Sequence, residues 1–299
     1  MNMTLLEQLE NIDYYNNSYE DVSKLLSSIG EIPATRVLLK PNTIFSRFRM
    51  GKGYSSVSSL TYRNAKYCTS LQRATLPNET AFYCCVSADE QHLENTRYIG
   101  LFECSKLPKE TDAKGREFMT ESRWINKEPL NALSFVTDET FPDVKDNKLL
   151  KELRKQYMRN KRNLSEEQIR LSRLINHEFT KTVDDSREYL ISASIAHDIF
   201  YKIESSNGVG FDAIIYPSVQ VKGEGGLNVI IRPDIVDRYL LFTLRVELSY
   251  FKNKEESLLK IDRIYNNNCK LLQKLNYDEN VLCSQLNISS IKELPVVRH

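Results

Sequence analysis

Apolar positions along this 299-residue chain recur at two periods, and they predict blocks of helix and strand in a mixed order. Leu5, Leu6, Leu9 and Ile12 fall at helical spacing. Ser18 precedes Val22, Leu25 and Leu26 with Asp21 in a cap-like place, so residues 1–40 predict two short helices. Residues 43–50, TIFSRFRM, predict a strand carrying Arg47 and Arg49. Residues 81–87, AFYCCVS, and 98–104, YIGLFEC, predict two more. Residues 51–60 read as a loop, and the polar residues 105–122 as loop or hairpin. Arg123-Trp124 opens a strand-like segment that runs on to residues 133–136. Residues 146–182 are helical by pattern, with Ser165 and Gln168 forming a capping box ahead of Ile169, Leu171, Leu174 and Ile175. Residues 187–204 predict the next helix. Two apolar runs, 213–215 and 229–231, then predict paired core strands joined through the glycine-rich residues 222–226. Residues 239–250, YLLFTLRVELSY, alternate as one further strand, and residues 253–276 predict a charged amphipathic helix.

This order predicts an α+β fold: a mixed β core with surrounding helices and added helices at both ends. A helical N-terminal extension occupies residues 1–42 and a core domain 43–240, with a helical insertion at about 144–204. Residues 241–299 add a strand and a C-terminal helical extension packed on the same domain. The 41% hydrophobic content is enough for a core. With 41 Lys+Arg against 40 Asp+Glu, the net charge of +1 excludes global attraction to nucleic acid or to an anionic membrane, so neither is expected as a direct partner. No apolar run approaches the ~20 residues that span a bilayer. The N-terminus is acidic and lacks the apolar region of a signal peptide. The six cysteines form no C-x-x-C pair and have no His at zinc spacing, so no metal site is expected, and Cys84 and Cys85 read as buried reduced thiols. A cytoplasmic protein is the expectation.

Candidate chemistry is scattered. The segment from Gly51 to Val57 is similar to a kinase glycine-rich loop, but the third Gly, the H-R-D and the D-F-G are absent, and it reads as a surface loop. P-loop and hydrolase-elbow patterns are also absent, which excludes those classes. His197 stands beside Asp198 on a predicted helix, where a solvent-side or capping role is expected. The basic residues 151–162 are interleaved with acids and read as a solvated face. Arg47 and Glu103 are different: each is embedded in or ends an apolar run, where an unpaired charge is costly. Arg73 precedes Tyr83 by ten residues, a surface Arg and a core aromatic unless the two serve one site. Ser218 and Asn228 stand where two apolar strands end.

Taken in order, four segments resemble the RES-domain family. They are IFSRFRM, LQRATLPNETAFY, IGLFECSKL and FDAIIYPSVQVKGEGGLNVIIRP, spanning roughly residues 43–240. The resemblance implies a fold similar to ADP-ribosyltransferases and an enzyme that cleaves the nicotinamide–ribosyl bond of NAD+, by hydrolysis or phosphorolysis, as the toxin of a toxin–antitoxin pair. NAD+ would be the substrate, with no resident cofactor, and a cognate antitoxin the partner. Some members transfer ADP-ribose to a protein, which keeps that acceptor open. Carried over by motif, Glu103 would stabilise the cation developing on the ribose, and Arg47 and Arg73 would hold the pyrophosphate. Tyr83 would stack on or wall the nicotinamide, and Ser218, supported by Asn228, would hydrogen-bond the nicotinamide or ribose side. Thr75 stands where the family has Asn, and Tyr83 and Glu103 are twenty residues apart, so Glu90 and Glu94 remain alternatives to Glu103 and Arg49 to Arg47. A RES-like scaffold that binds without catalysis is the reading from another class.

Overall fold

In the computed structural model, residues 3–87, 93–140, 147–202, 210–218 and 226–298 are described. They form an α+β protein divided into two compact units. The first comprises Met1–Pro41, Tyr62–Tyr83 and Asn126–Tyr239; the second comprises Asn42–Thr61, Cys84–Ile125 and Leu240–His299.

The first unit carries strands β1 (Thr35–Leu39), β5 (Leu130–Ser134), β6 (Ala213–Ser218) and β7 (Gly226–Ile231), side by side in the order β1-β5-β6-β7. The β5–β6 pair is parallel and the other two are antiparallel. Every residue of β6 and β7 is buried, as expected of strands covered on both faces. Their register sets Tyr216 opposite Asn228 and Ser218 opposite Gly226. The helices are α1 (Leu5–Glu10), α2 (Tyr19–Ile29), α4 (Lys148–Lys161), α5 (Glu166–Thr180) and α6 (Leu190–His197). Capping boxes at Thr4, Ser18 and Ser165 start α1, α2 and α5. Leu9, Val22, Ile175, Phe179 and Ile195 pack with Ile214, Tyr216 and Ile230 in one core. The basic α4 buries Leu150, Leu153 and Tyr157 and leaves most of its cations outside. Helix α6 runs into a single π-helical turn, Asp198–Lys202.

The second unit carries β2 (Ile44–Met50), most of β3 (Phe82–Ser87), β4 (Lys114–Asn126), β8 (Leu240–Asn253), β9 (Glu256–Tyr265) and β10 (Leu271–Lys274), with α3 (Leu93–Cys104) on β2. Strand β2 lies between β3 and β4, antiparallel to both, and β8, β9 and β10 follow beyond β4. A second core gathers Phe251, Leu282, Leu286 and Leu294 under a short helix, Glu279–Gln285.

Four expectations need correction. Residues 35–39, expected within the helical N-terminal extension, form strand β1, because Thr35 and Leu39 are buried where the segment pairs with β5. YIGLFEC belongs to helix α3 rather than to a strand. From Thr96 to Leu101 the helix is buried nearly all round, and a short apolar run covered on all sides has no period that separates strand from helix. The polar residues 105–122 hold most of the thirteen-residue strand β4. Its inward positions include Glu117, Thr120, Glu121 and Ser122, satisfied by hydrogen bonds and invisible to hydropathy. Residues 253–276 form β9 and β10 instead of an amphipathic helix. The hairpin turns at Lys254, whose φ is +57°, and β9 then pairs along the length of β8. Leu258, Leu259, Ile261 and Ile264 suit either period, and the waiting edge of β8 decides.

Candidate functional site

In the first unit, the turn that carries Arg73 meets Tyr83. Arg73 lies in a tight turn closed by the Gln72–Thr75 bridge. The Ala74 N–H donates to the Tyr83 hydroxyl at 3.1 Å, and Thr75 Oγ1 lies 3.4 Å from the same oxygen. The Arg73 guanidinium sits over the rings of Tyr189 (4.9 Å) and Tyr216 (5.9 Å). Tyr216 belongs to the Tyr-Pro-Ser segment of β6, so two of the resembling motifs converge. Arg73 also donates to the carbonyls of Phe179 (2.7 Å) and Lys181 (3.1 Å) and to the Tyr189 hydroxyl (3.4 Å). Those carbonyls close helix α5, where orphan acceptors and the negative end of the helix dipole favour a cation. These bonds use three of the five N–H groups of Arg73; its Nε–H and one Nη1–H, without a partner among the described residues, do not lie side by side and so do not form the two-pronged pyrophosphate grip. Ser218 and Asn228 are buried on the adjacent strands β6 and β7.

A pairing that the sequence does not announce lies next to this turn. Glu79 accepts from the Leu76 N–H (3.0 Å), and its other oxygen is 2.6 Å from His197 Nδ1. His197 thus ties the 72–80 segment to α6, beside the Tyr19 ring at 4.8 Å, instead of capping its helix in solvent.

In the second unit, Arg47 and Glu103 share a neighbourhood. Cys104 is exposed as a residue, yet its sulfur turns in toward the Phe48 carbonyl at 3.8 Å. Burial pushes this thiol up to about 11, Glu103 adds in the same direction, and Arg47 opposes them. Burial also raises the Cys84 and Cys85 thiols, with Arg47 opposing at Cys84 and Glu103 reinforcing at Cys85. Both cysteines are buried and outside any disulfide, as the sequence led us to expect. Arg47 Nε donates to the Thr61 carbonyl (3.2 Å), and Arg49 donates to the same oxygen (2.9 Å) while its guanidinium lies over Tyr54. Glu94 is exposed in the first turn of α3, and Glu103 is half-buried in the last; Glu90 lies outside the described residues.

Glu103 is placed by two features of α3. One is Gly100, where a Cβ would fall 2.0 Å from the Phe48 ring, so only glycine lets the helix approach β2 this closely. The other is a buried charge cage. Glu121 of β4 is completely buried and accepts from Arg97 Nε of α3 (2.9 Å), Arg123 Nε (2.6 Å) and the Ser46 hydroxyl (2.9 Å). Desolvation raises its pKa, but the two guanidinium groups outweigh that and hold it below the usual carboxylate value. The sequence reading missed Glu121, because its partners are 24 and 75 positions away or on its own strand.

The Gly51-Lys52-Gly53 turn is not a phosphate cradle. Lys52 donates to Ser249 Oγ (3.0 Å), pairs with Asp262 and lies 3.9 Å from the Phe118 ring centre. Among the described residues, no cluster of three or more His, Cys, Asp or Glu side chains could hold a metal, and no helix is long and apolar enough to cross a membrane. Compared with models of protein families and with curated proteins, the chain matches none.

Proposed function

We propose that this chain cleaves the nicotinamide–ribosyl bond of NAD+, with water or phosphate as acceptor. The observation that carries the reading is the convergence of the Arg73–Ala74 turn with Tyr83 and Tyr216, which come from two separate segments of the RES resemblance. The nearness of both Arg47 and Glu103 to the Cys104 thiol supports it. In this chemistry the glycosidic electron pair leaves with nicotinamide, which departs neutral and needs no proton. One carboxylate is then enough to stabilise the oxocarbenium-like ribose, the role assigned to Glu103. With water as acceptor, the products are nicotinamide, ADP-ribose and one proton. The resemblance assigns Arg47 to the pyrophosphate, Tyr83 to the nicotinamide, and Ser218, supported by Asn228, to the nicotinamide or ribose side. Arg73, with two N–H groups on the end of α5 and one on Tyr189, fixes the turn whose Ala74 N–H meets Tyr83 and lies over the Tyr216 ring. Such an enzyme acts in the cytoplasm as a toxin and requires a neutralising antitoxin.

Incubation of purified protein with NAD+, followed by chromatography, tests this. Nicotinamide is released, and Glu103→Gln slows release about 100-fold or more with an unchanged melting temperature. Full activity of that variant removes Glu103 from the role. Label from NAD+ appearing on a protein band points to a protein acceptor instead.

A second reading is favoured by the three inward bonds of Arg73: a module that binds a nucleotide without turnover. Saturable NAD+ binding with no nicotinamide release selects it.

A further inference from the structure

The first unit contains a cavity of about 450 Å³ that shares no residue with Arg73, Tyr83, Ser218 or Asn228. Its size lies within the roughly 300–1,000 Å³ of small-molecule sites. Leu26, Ile32, Leu133 and Phe211 supply apolar wall, and Ser27, Arg36, Asp198 and Lys202 supply the polar groups.

The polar groups divide by their commitments. Asp198 is buried and satisfied: the Tyr19 hydroxyl (2.8 Å) and the Ser23 hydroxyl (2.9 Å) donate to it, and Lys202 Nζ stands 3.6 Å away. Lys202 also donates to Ser23 (2.9 Å) and Ser27 (2.8 Å), so its ammonium is held at a fixed place although its stem is half-exposed. Arg36 makes no ion pair among the described residues, and its guanidinium lies over the Phe211 ring at 5.3 Å. Stacking fixes the plane of a guanidinium and leaves its edge donors free to fork onto an anion.

The backbone adds an independent sign. Asp198, Ile199 and Lys202 all come from the π-helical turn that ends α6. Such turns are rare and concentrate at functional sites, because the extra residue re-aims side chains that a regular helix would direct elsewhere.

We propose that this cavity binds a small planar amphipathic anion, an aromatic or heteroaromatic ring carrying one carboxylate, sulfonate or phosphate group. The ring packs against Phe211 and the aliphatic wall, and the anionic group takes the free edge of Arg36 with Lys202 nearby.

Fluorescence titration with 1-anilinonaphthalene-8-sulfonate tests the proposal, with the uncharged N-phenyl-1-naphthylamine as comparison. The folded protein, shown by a cooperative melt, binds the sulfonate at one saturable site. Arg36 is exposed, so its replacement leaves the fold intact. Arg36→Glu weakens the sulfonate at least about tenfold and changes the neutral probe by less than about twofold, and Arg36→Lys recovers part of the loss. Ala34→Trp, which fills the cavity, weakens both probes. Absence of a saturable site in the wild type overturns the proposal. So does an Arg36→Glu variant that binds the sulfonate normally or loses both probes equally.

Discussion

Glu121→Gln is the sharpest test of how this structure holds Glu103. The wild-type carboxylate has no solvent exposure, and its partners Arg97 and Arg123 have side chains only 10% and 17% exposed. The substitution keeps the shape and removes the charge. Two guanidinium groups then remain in a poorly hydrated site without a counter-ion. A unit charge pair at about 4 Å is worth roughly 4 kcal/mol at an effective dielectric of about 20, and breaking a buried pair costs about 3–5 kcal/mol net. Against a domain stability of about 5–15 kcal/mol, that is a large fraction. Urea unfolding at neutral pH should show a loss of about 3 kcal/mol or more. The loss should also depend on pH in a stated direction. The folded-state pKa of Glu121 is lowered from 4.5, so the carboxylate's contribution is complete above that value and fades as pH falls through the folded value. Wild type and variant should therefore converge in acid. Replacing Glu121, Arg97 and Arg123 together with Leu, Met and Met should recover much of the stability, because no charge is left stranded. A loss under about 1 kcal/mol for Glu121→Gln, or a loss that stays constant from neutral to strongly acidic pH, refutes the cage.

Gly100→Ala should destabilise by about 1–3 kcal/mol in thermal melts, since its Cβ meets the Phe48 ring, and Phe48→Leu in the same chain should return part of the loss; a neutral Gly100→Ala argues against the close approach. Arg73→Ala leaves the Phe179 and Lys181 carbonyls without their donor and should cost about 1–3 kcal/mol, with faster hydrogen exchange near the end of α5; unchanged exchange there contradicts the capping role. Mass spectrometry after brief iodoacetamide treatment at mildly alkaline pH should find Cys269 modified and Cys85 spared, because burial and Glu103 hold the Cys85 thiol protonated; early labelling of Cys85 in folded protein refutes that burial.

Most of the periodic elements were legible from residue order. The helices of the first unit, the β6–β7 pair and strands β2, β3 and β8 lie where apolar spacing and capping residues place them. The Ser165–Gln168 box is a local device, and local devices survive without tertiary context. The misread elements share one cause. Helix α3 is covered nearly all round, β4 turns charged residues inward, and β9 takes its conformation from the edge of β8. Each depends on what packs beside it, which the period of its own residues does not encode.

The same division runs through the candidate site. Arg73, Tyr83, Arg47, Glu103 and Ser218 were nameable because a charge or hydroxyl beside an apolar run is conspicuous in a linear chain. The partners of those side chains were not. That Arg73 is bound to the end of α5, that Glu79 holds His197 across 118 positions, and that Glu121 anchors α3 are decided where separate segments pack together. Residue order set the hydrophobic periods and the inventory of reactive groups. Tertiary packing alone set which charges face one another, because a buried ion pair forms between side chains brought within a few ångströms, whatever their separation along the chain.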